Sequence, residues 1–250
     1  VSVPALSPPR PGDLRGLGWA AAALSLWALS LVAAWALPGG PVGFALALPV
    51  FLLRIFACTA VFITAHDAMH GLVCPGRPAL NDALGALCCR LYAWFDFRSL
   101  RVAHHRHHAT PARSGDPDWH GGAGEGAGVW YLRFLRTYLG PGQVLGMAVG
   151  FNLLQHGLGL SVPWLLLFVS LPPVLSSVQL FVFGTWLPHR TPPGGHHNRH
   201  HAQDSGMPAW LSFVTCLHFG YHFAHHEAPG VPWWRLPAAR AALQQGASAR

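Results

Sequence analysis

The sequence predicts an all-α integral membrane protein: four transmembrane helices, short interfacial helices, and a histidine-rich metal site on one face. Three observations predict it. Only 10% of the 250 residues are charged, against roughly 25% in a soluble domain. Four long apolar runs are almost free of charge. And 17 histidines, nearly twice the 9 acids, gather where those runs end.

Gly16 to Leu37 is uncharged and long enough for a hydrocarbon core of about 30 Å. Pro38-Gly39-Gly40-Pro41 is a turn. Val42 to Ala65 runs back, interrupted only by Arg54. Thr137 to Leu160 and Ser161 to Pro188 form a second hairpin, with Pro163 near its turn and Pro172-Pro173 as a kink that a bundle tolerates. The shorter runs Ala79 to Phe97 and Pro208 to Phe219 read as interfacial or re-entrant helices. One domain covers residues 1–250, with 1–15 and 238–250 expected as loosely ordered tails. The first apolar run is too long for a signal-peptide core.

Charge follows this topology. Fifteen of the 16 arginines and all nine acids fall on the side of the termini and residues 66–136. The two opposite loops carry none, so the positive-inside rule makes the charged side cytoplasmic. The net charge of +7 is therefore topological, and no nucleic-acid partner is expected. Arg54, inside a span, is either a functional or paired group or a side chain that snorkels. Cys58, Cys74, Cys88, Cys89 and Cys216 form no CxxC pair and read as reduced, buried thiols.

Spacing gives the histidines their chemistry. On a helix, residues three and four apart share a face. His66 and His70 thus offer two imidazoles to one point, His104, His107 and His108 three, and His222, His225 and His226 three more. Each cluster alone has a plain alternative, as helix-end polar residues or a basic patch. Three clusters returning to one membrane face point instead to metal. Imidazole suits iron, zinc, copper and nickel, and eight or nine ligands exceed one ion and fit two. Asp67, Asp116, Asp118 and Glu227 are available to orient the rings. His156 lies apart and reads as a bundle histidine, not a ligand.

HxxxH, HxxHH and HxxHH, in this order around two hairpins, resemble the membrane fatty-acid desaturase and hydroxylase superfamily, over about residues 40 to 235. Longer words resemble bacterial β-carotene ketolases: FITAHDAMHG at 62–71, HHRHHATPARSGDPDWH at 104–120, FVFGTWLPHR at 181–190 and TCLHFGYHFAHHEAPGVPWWRLP at 215–237. The resemblance implies a non-haem di-iron centre held by His66, His70, His104, His107, His108, His222, His225 and His226. His189 matches an extra histidine between the second and third boxes, His105 is a competing or supporting ligand, and His200 is an orienting or substrate-facing group. It also implies two Fe2+ ions, O2 as cosubstrate and a reduced ferredoxin-type donor. The substrate would be a carotenoid drawn from membrane lipid and oxidised at C4 and C4′ of its β-ionone rings, from β-carotene to echinenone and canthaxanthin. The implied place is the bacterial inner membrane, multi-pass, with termini and site cytoplasmic.

This sequence departs from the family at Arg199 to Ser205, at Phe223-Ala224 and after Glu227, while keeping the ligand spacing. Arg98, Arg101, Arg106 and Arg113 are candidates to dock an acidic donor, beside their plain role in the charge bias. Trp94, Phe95, Trp119, Trp130, Tyr131, Trp186, Trp233 and Trp234 are candidates for a ring-binding tunnel, with an aromatic belt as the alternative. Rival readings are a carotenoid ring hydroxylase, a fatty-acid desaturase, a membrane zinc protein, and a histidine-rich metal transporter or sensor.

Overall fold

The chain forms helices at the apolar runs, and the charges and prolines between the runs set their ends. A computed structural model describes residues 4–122, 124 and 126–248. Among them, the one bridge between extended segments joins Asp204 and Tyr221. Helix α1 spans Arg15–Trp35 and opens beside Asp13, whose carboxylate accepts the Arg15 backbone N–H at 3.0 Å. Helix α2, Gly40–Met69, follows a turn in which Gly40 takes φ +75°, a conformation that favours glycine. Its 30 residues extend about 45 Å, so an apolar shaft leads directly to His66 near its end.

Helices α3 (Pro78–Ala93) and α4 (Phe97–Ala109) come next. Asp96 caps α4 by accepting the Ser99 N–H at 2.8 Å. Helix α5 is Ala127–Tyr138, and α6 is Pro141–Asn152 running on into a π turn, Leu153–Gly157. Helix α7, Val162–His189, carries π turns at Leu166–Ser170 and Val182–Trp186. Three short helices finish the chain: α8 (Ala209–Cys216), α9 (His222–Glu227) and α10 (Leu236–Ser248).

Three helices are long and apolar enough to cross a membrane: α1, α2 and α7. The expected span over 137–160 is not among them. Gly140-Pro141 splits that run: Gly140 takes extended backbone, and Pro141 opens a new helix, a position at which proline is favoured. What remains is α6, which packs on Trp94: a Cβ on Gly146 would lie 2.7 Å from that indole.

Arg54 is 1% exposed and does not snorkel. Its Nε donates to the Phe168 carbonyl at 2.9 Å, and its Nη1 to the Trp27 carbonyl at 3.0 Å and Ser30 Oγ at 3.1 Å. The cause lies in α7. The Phe168 carbonyl would accept from residue 172 in an α register or 173 in a π register, and both are proline, without an N–H. Arg54 supplies the missing donor and ties α1, α2 and α7 together.

Both ends of the described chain carry local structure. The C-terminal stretch is helical through Ser248, with residues 249–250 outside those described. At the N-terminus Gly12 N–H donates to the Pro75 carbonyl at 3.0 Å, and Arg235 donates to the Ser7 carbonyl at 3.0 Å. Residues 1–3 lie outside those described. All five cysteines are free and buried.

Candidate metal centre

Four segments deliver the histidines to one place. The end of α2 presents His66 and His70, four residues apart, with ring centroids at 5.2 Å. Helix α4 presents His104, His107 and His108, the last residue of α7 is His189, and α9 presents His222, His225 and His226. The rings sort into two groups. His66, His70, His104 and His225 bring one nitrogen each within 4.8 Å of the others, and so do His107, His189, His222 and His226. His108 lies between them: its Nε2 is 2.9 Å from His225 Nε2, and its ring stacks at 4.2 Å on His226.

The donor set fits divalent metal. Nε2 atoms stand 2.8 Å apart in His70 and His104, 3.1 Å in His107 and His226, and 3.0 Å in His226 and His222. Separations near 3 Å suit adjacent nitrogens that share one ion at a bond of about 2.1 Å. The buried ring nitrogen His189 Nε2 has no hydrogen-bond partner, and neither has His66 Nε2. An unpaired buried polar atom is costly, and a metal at the centre of each group removes that cost. The ring charges agree. Burial first, and then neighbouring imidazoles, hold His104, His222, His225 and His226 well below the usual histidine range, and burial takes His70 down to about 3. Neutral imidazole is the form that binds metal.

Two rings are oriented by identified partners. His107 Nδ1 lies 3.0 Å from both carboxylate oxygens of Asp116, and 3.7 Å from Asp118 Oδ2. Burial lowers the His107 pKa, but Asp118 and Asp116 outweigh it, so the net direction is upward. The loop holds Asp116 in turn, since its carboxylate accepts Ala112 N–H at 2.7 Å and Asp118 N–H at 2.8 Å. Both acids therefore face the outer nitrogen of His107, leaving Nε2 turned to the group. His189 Nδ1 donates to the His201 carbonyl at 2.8 Å, which leaves its Nε2 inward. Asn198 shapes that loop, its Oδ1 accepting from His200 N–H at 3.1 Å and Ala202 N–H at 3.3 Å.

The remaining expected residues are placed as follows. His105 is exposed and joins neither group; its Nε2 donates to the Met69 carbonyl at 2.9 Å. Asp67 Oδ2 accepts Trp233 N–H at 3.1 Å, fastening the C-terminal segment to α2, and its Oδ1 is 3.5 Å from His66 Nδ1. His200 and Glu227 pair with each other at 3.0 Å, beside the centre and outside both groups. His156 is exposed on the π turn after α6, not inside the bundle.

An aromatic cleft of about 80 Å3 opens on the metal-facing side. His66, His104, His107 and His222, drawn from both groups, share its wall with Phe62, Tyr92, Phe134 and Phe219. Of the eight aromatics proposed for a tunnel, Phe95 alone lines it. Trp130 is instead buried and donates to the Asp118 carbonyl at 2.6 Å, and the bare α-carbon of Gly184 admits Phe219, whose ring a Cβ would strike. Sequence reasoning missed the His201 carbonyl, because a backbone acceptor has no residue signature. It missed Tyr138, whose hydroxyl donates to Asp118 Oδ1. It also missed Asp204, which accepts Ala224 N–H at 3.0 Å at the start of α9.

Comparison with known proteins gives concordant results. The family model described as fatty acid desaturase matches residues 43–161 and 143–249. A β-carotene ketolase of Paracoccus sp. (strain N81106 / MBIC 01143) is 44% identical over 198 residues, covering 78% of this chain and 79% of the relative. Another, from Paracoccus sp. (strain PC1), is 45% identical over 183 residues, 72% of this chain and 73% of the relative. A zeaxanthin 4-ketolase of Chlamydomonas reinhardtii is 39% identical over 246 residues, 93% of this chain and 54% of the relative.

Proposed function

The chain belongs to the fatty acid desaturase family, and from that premise we propose that it is a carotenoid ketolase, oxidising C4 and C4′ of β-ionone rings and taking β-carotene to echinenone and canthaxanthin. One observation carries the reading: two groups of buried imidazoles share a wall of an aromatic cleft. His66, His70, His104 and His225 would hold one iron, and His107, His189, His222 and His226 the other, with His108 between them. Bound there, two Fe2+ ions supply the electron chemistry that lets O2 attack an allylic C–H bond.

The chain's own residues do the rest. Asp116 and the His201 carbonyl fix the tautomers of His107 and His189, so each turns its Nε2 to the site. Asp67 ties the HxxxH end of α2 to Trp233. Phe62, Phe134 and Phe219 give an apolar ring its surface and keep water from it. Each oxidation consumes O2, two electrons and two protons and releases one water. The first turns the ring CH2 into CHOH; the second gives a geminal diol, which loses water to the ketone.

The reading extends to topology and partners. The α6 helix makes a fourth crossing, its shortfall met by local thinning of the bilayer. The whole chain is one domain. Termini and metal centre face the cytoplasm of a bacterial inner membrane, and the carotenoid enters from lipid. A reduced ferredoxin-type donor docks on the basic face of α4. There Arg98 and Arg106 are exposed, while Arg101 pairs with Asp82; in the turn after α4, Arg113 donates to His201.

The test is the pigment mass profile of a β-carotene-producing bacterium that expresses the chain. A gain of one oxygen with loss of two hydrogens per ring is expected. Oxygen gained without that loss identifies a hydroxylase, and unchanged pigment beside iron-loaded protein contradicts the carotenoid substrate.

A further inference from the structure

The cleft holds more polarity than a hydrocarbon ring calls for. Most of its wall is aromatic or aliphatic, yet Asp118 and Tyr138 meet on it. Polar side chains in an apolar pocket cost desolvation and are retained where they orient or select a ligand. Asp118 has an evident task, since it faces His107 at 3.7 Å. Tyr138 touches no ligand histidine through its hydroxyl. That hydroxyl donates to Asp118 Oδ1, and the ring packs on Phe134 at 4.8 Å. A phenylalanine would give the same packing.

We propose that the Tyr138 hydroxyl holds the ring alcohol made by the first oxidation, so that the second follows at the same carbon before release. The inference rests on the ketolase reading and deepens it.

The hydrogen-bond inventory supports this role. The phenol proton is committed to Asp118, so what the Tyr138 hydroxyl can offer a ligand in the cleft that Tyr138 lines is an acceptor. Donation to a carboxylate makes that oxygen more electron-rich and strengthens what it accepts. An unsubstituted ring has no O–H to offer and gains nothing from Tyr138. The alcohol donates, completing a chain from substrate hydroxyl to Tyr138 to Asp118. The ketone has an acceptor only and finds no free proton on Tyr138. One phenol therefore favours the intermediate over both the substrate and the final product.

The experiment is Tyr138→Phe, with Tyr131→Phe as the control; Tyr131 bonds Ser177 at 2.7 Å and does not line the cleft. Two readouts are taken. In a β-carotene-producing host, the released ratio of ring alcohol to ring ketone should rise roughly tenfold in Tyr138→Phe, the weight of one good hydrogen bond. It should stay at the wild-type value in Tyr131→Phe. Separately, metal-free wild-type protein in detergent should bind a carotenoid with 4-hydroxylated rings roughly tenfold more tightly than β-carotene. Tyr138→Phe should bind the two alike. If the alcohol-to-ketone ratio and the relative affinity are both unchanged, Tyr138 has no such role. If wild-type protein makes no ring ketone, the ketolase reading falls, and the metal-free binding comparison still decides what Tyr138 recognises. A poor yield of Tyr138→Phe does not disturb that comparison, because it is a ratio measured on folded protein.

Discussion

Asp116 holds His107 with both carboxylate oxygens, each 3.0 Å from Nδ1, and so turns the ring's other nitrogen toward His226 at 3.1 Å. An acid on one helix-end loop thereby sets the direction of a nitrogen on α4 that meets α9.

Asp116→Asn can keep one hydrogen bond but loses the charge that favours the Nδ1–H tautomer. Loss of such an orienting partner typically weakens metal binding about 10- to 100-fold. We expect Asp116→Asn to lower iron affinity by that order, read by competition with a chelator, and Asp116→Ala to lower it further. Wild-type iron retention in both would show that Asp116 does not orient His107.

Arg54→Leu removes the donor that replaces two missing proline N–H groups, leaving the buried Phe168 carbonyl unpaired. The expected cost is about 1–3 kcal/mol, plus the bonds lost to Trp27 and Ser30. Thermal unfolding in detergent should show a lower midpoint, with iron content unchanged at low temperature. An unaltered midpoint would mean that α7 finds another donor for Phe168.

Gly184→Ala places a methyl against Phe219, whose ring lies 5.0 Å from His66 and 5.4 Å from His222 by centroids. Phe219 must shift into the cleft or α7 must move away, at a cost of about 1–3 kcal/mol. Turnover should fall while iron stays bound, and pairing the change with Phe219→Ala should restore part of it. Loss of iron instead would place Gly184 in the support of the ligands.

The metal-free protein should also respond to pH. His104, His222, His225 and His226 have folded pKa values below their unfolded value of about 6.5, and His70 is down to about 3. Below about pH 6.5 the unfolded chain therefore binds more protons, and stability falls as pH falls from there toward 3. His107, shifted upward, works in the opposite direction but is one ring against five. Denaturation of metal-free protein between pH 7.5 and 5 should show this loss. A flat profile would show that these rings are solvated.

The all-helical class follows from the long apolar runs, and the HxxxH and HxxHH register from helical geometry, which fixes which residues share a face. The sorting of the histidines into two groups does not follow. His225 joins His66, His70 and His104, whereas its neighbours on α9, His222 and His226, join His107 and His189. Sequence boxes mark helix ends, and tertiary packing decides which ring turns to which centre. Arg54 shows the same limit. Pro172-Pro173 announced a defect in α7, but its remedy lies 114 residues away, at the meeting of three helices. The apolar run over 137–160 reads as one continuous span because composition measures hydropathy and not continuity, whereas the helix there starts anew at Pro141. Gly140-Pro141 outweighs it locally.

The central claim, two irons held by two histidine groups, is tested most directly by metal analysis of the chain purified from iron-replete cells. Two iron atoms per chain are predicted for wild type, with loss of iron in both His104→Ala and His222→Ala, one from each group. Zinc in place of iron, a single ion per chain, or full iron content in either variant would contradict it.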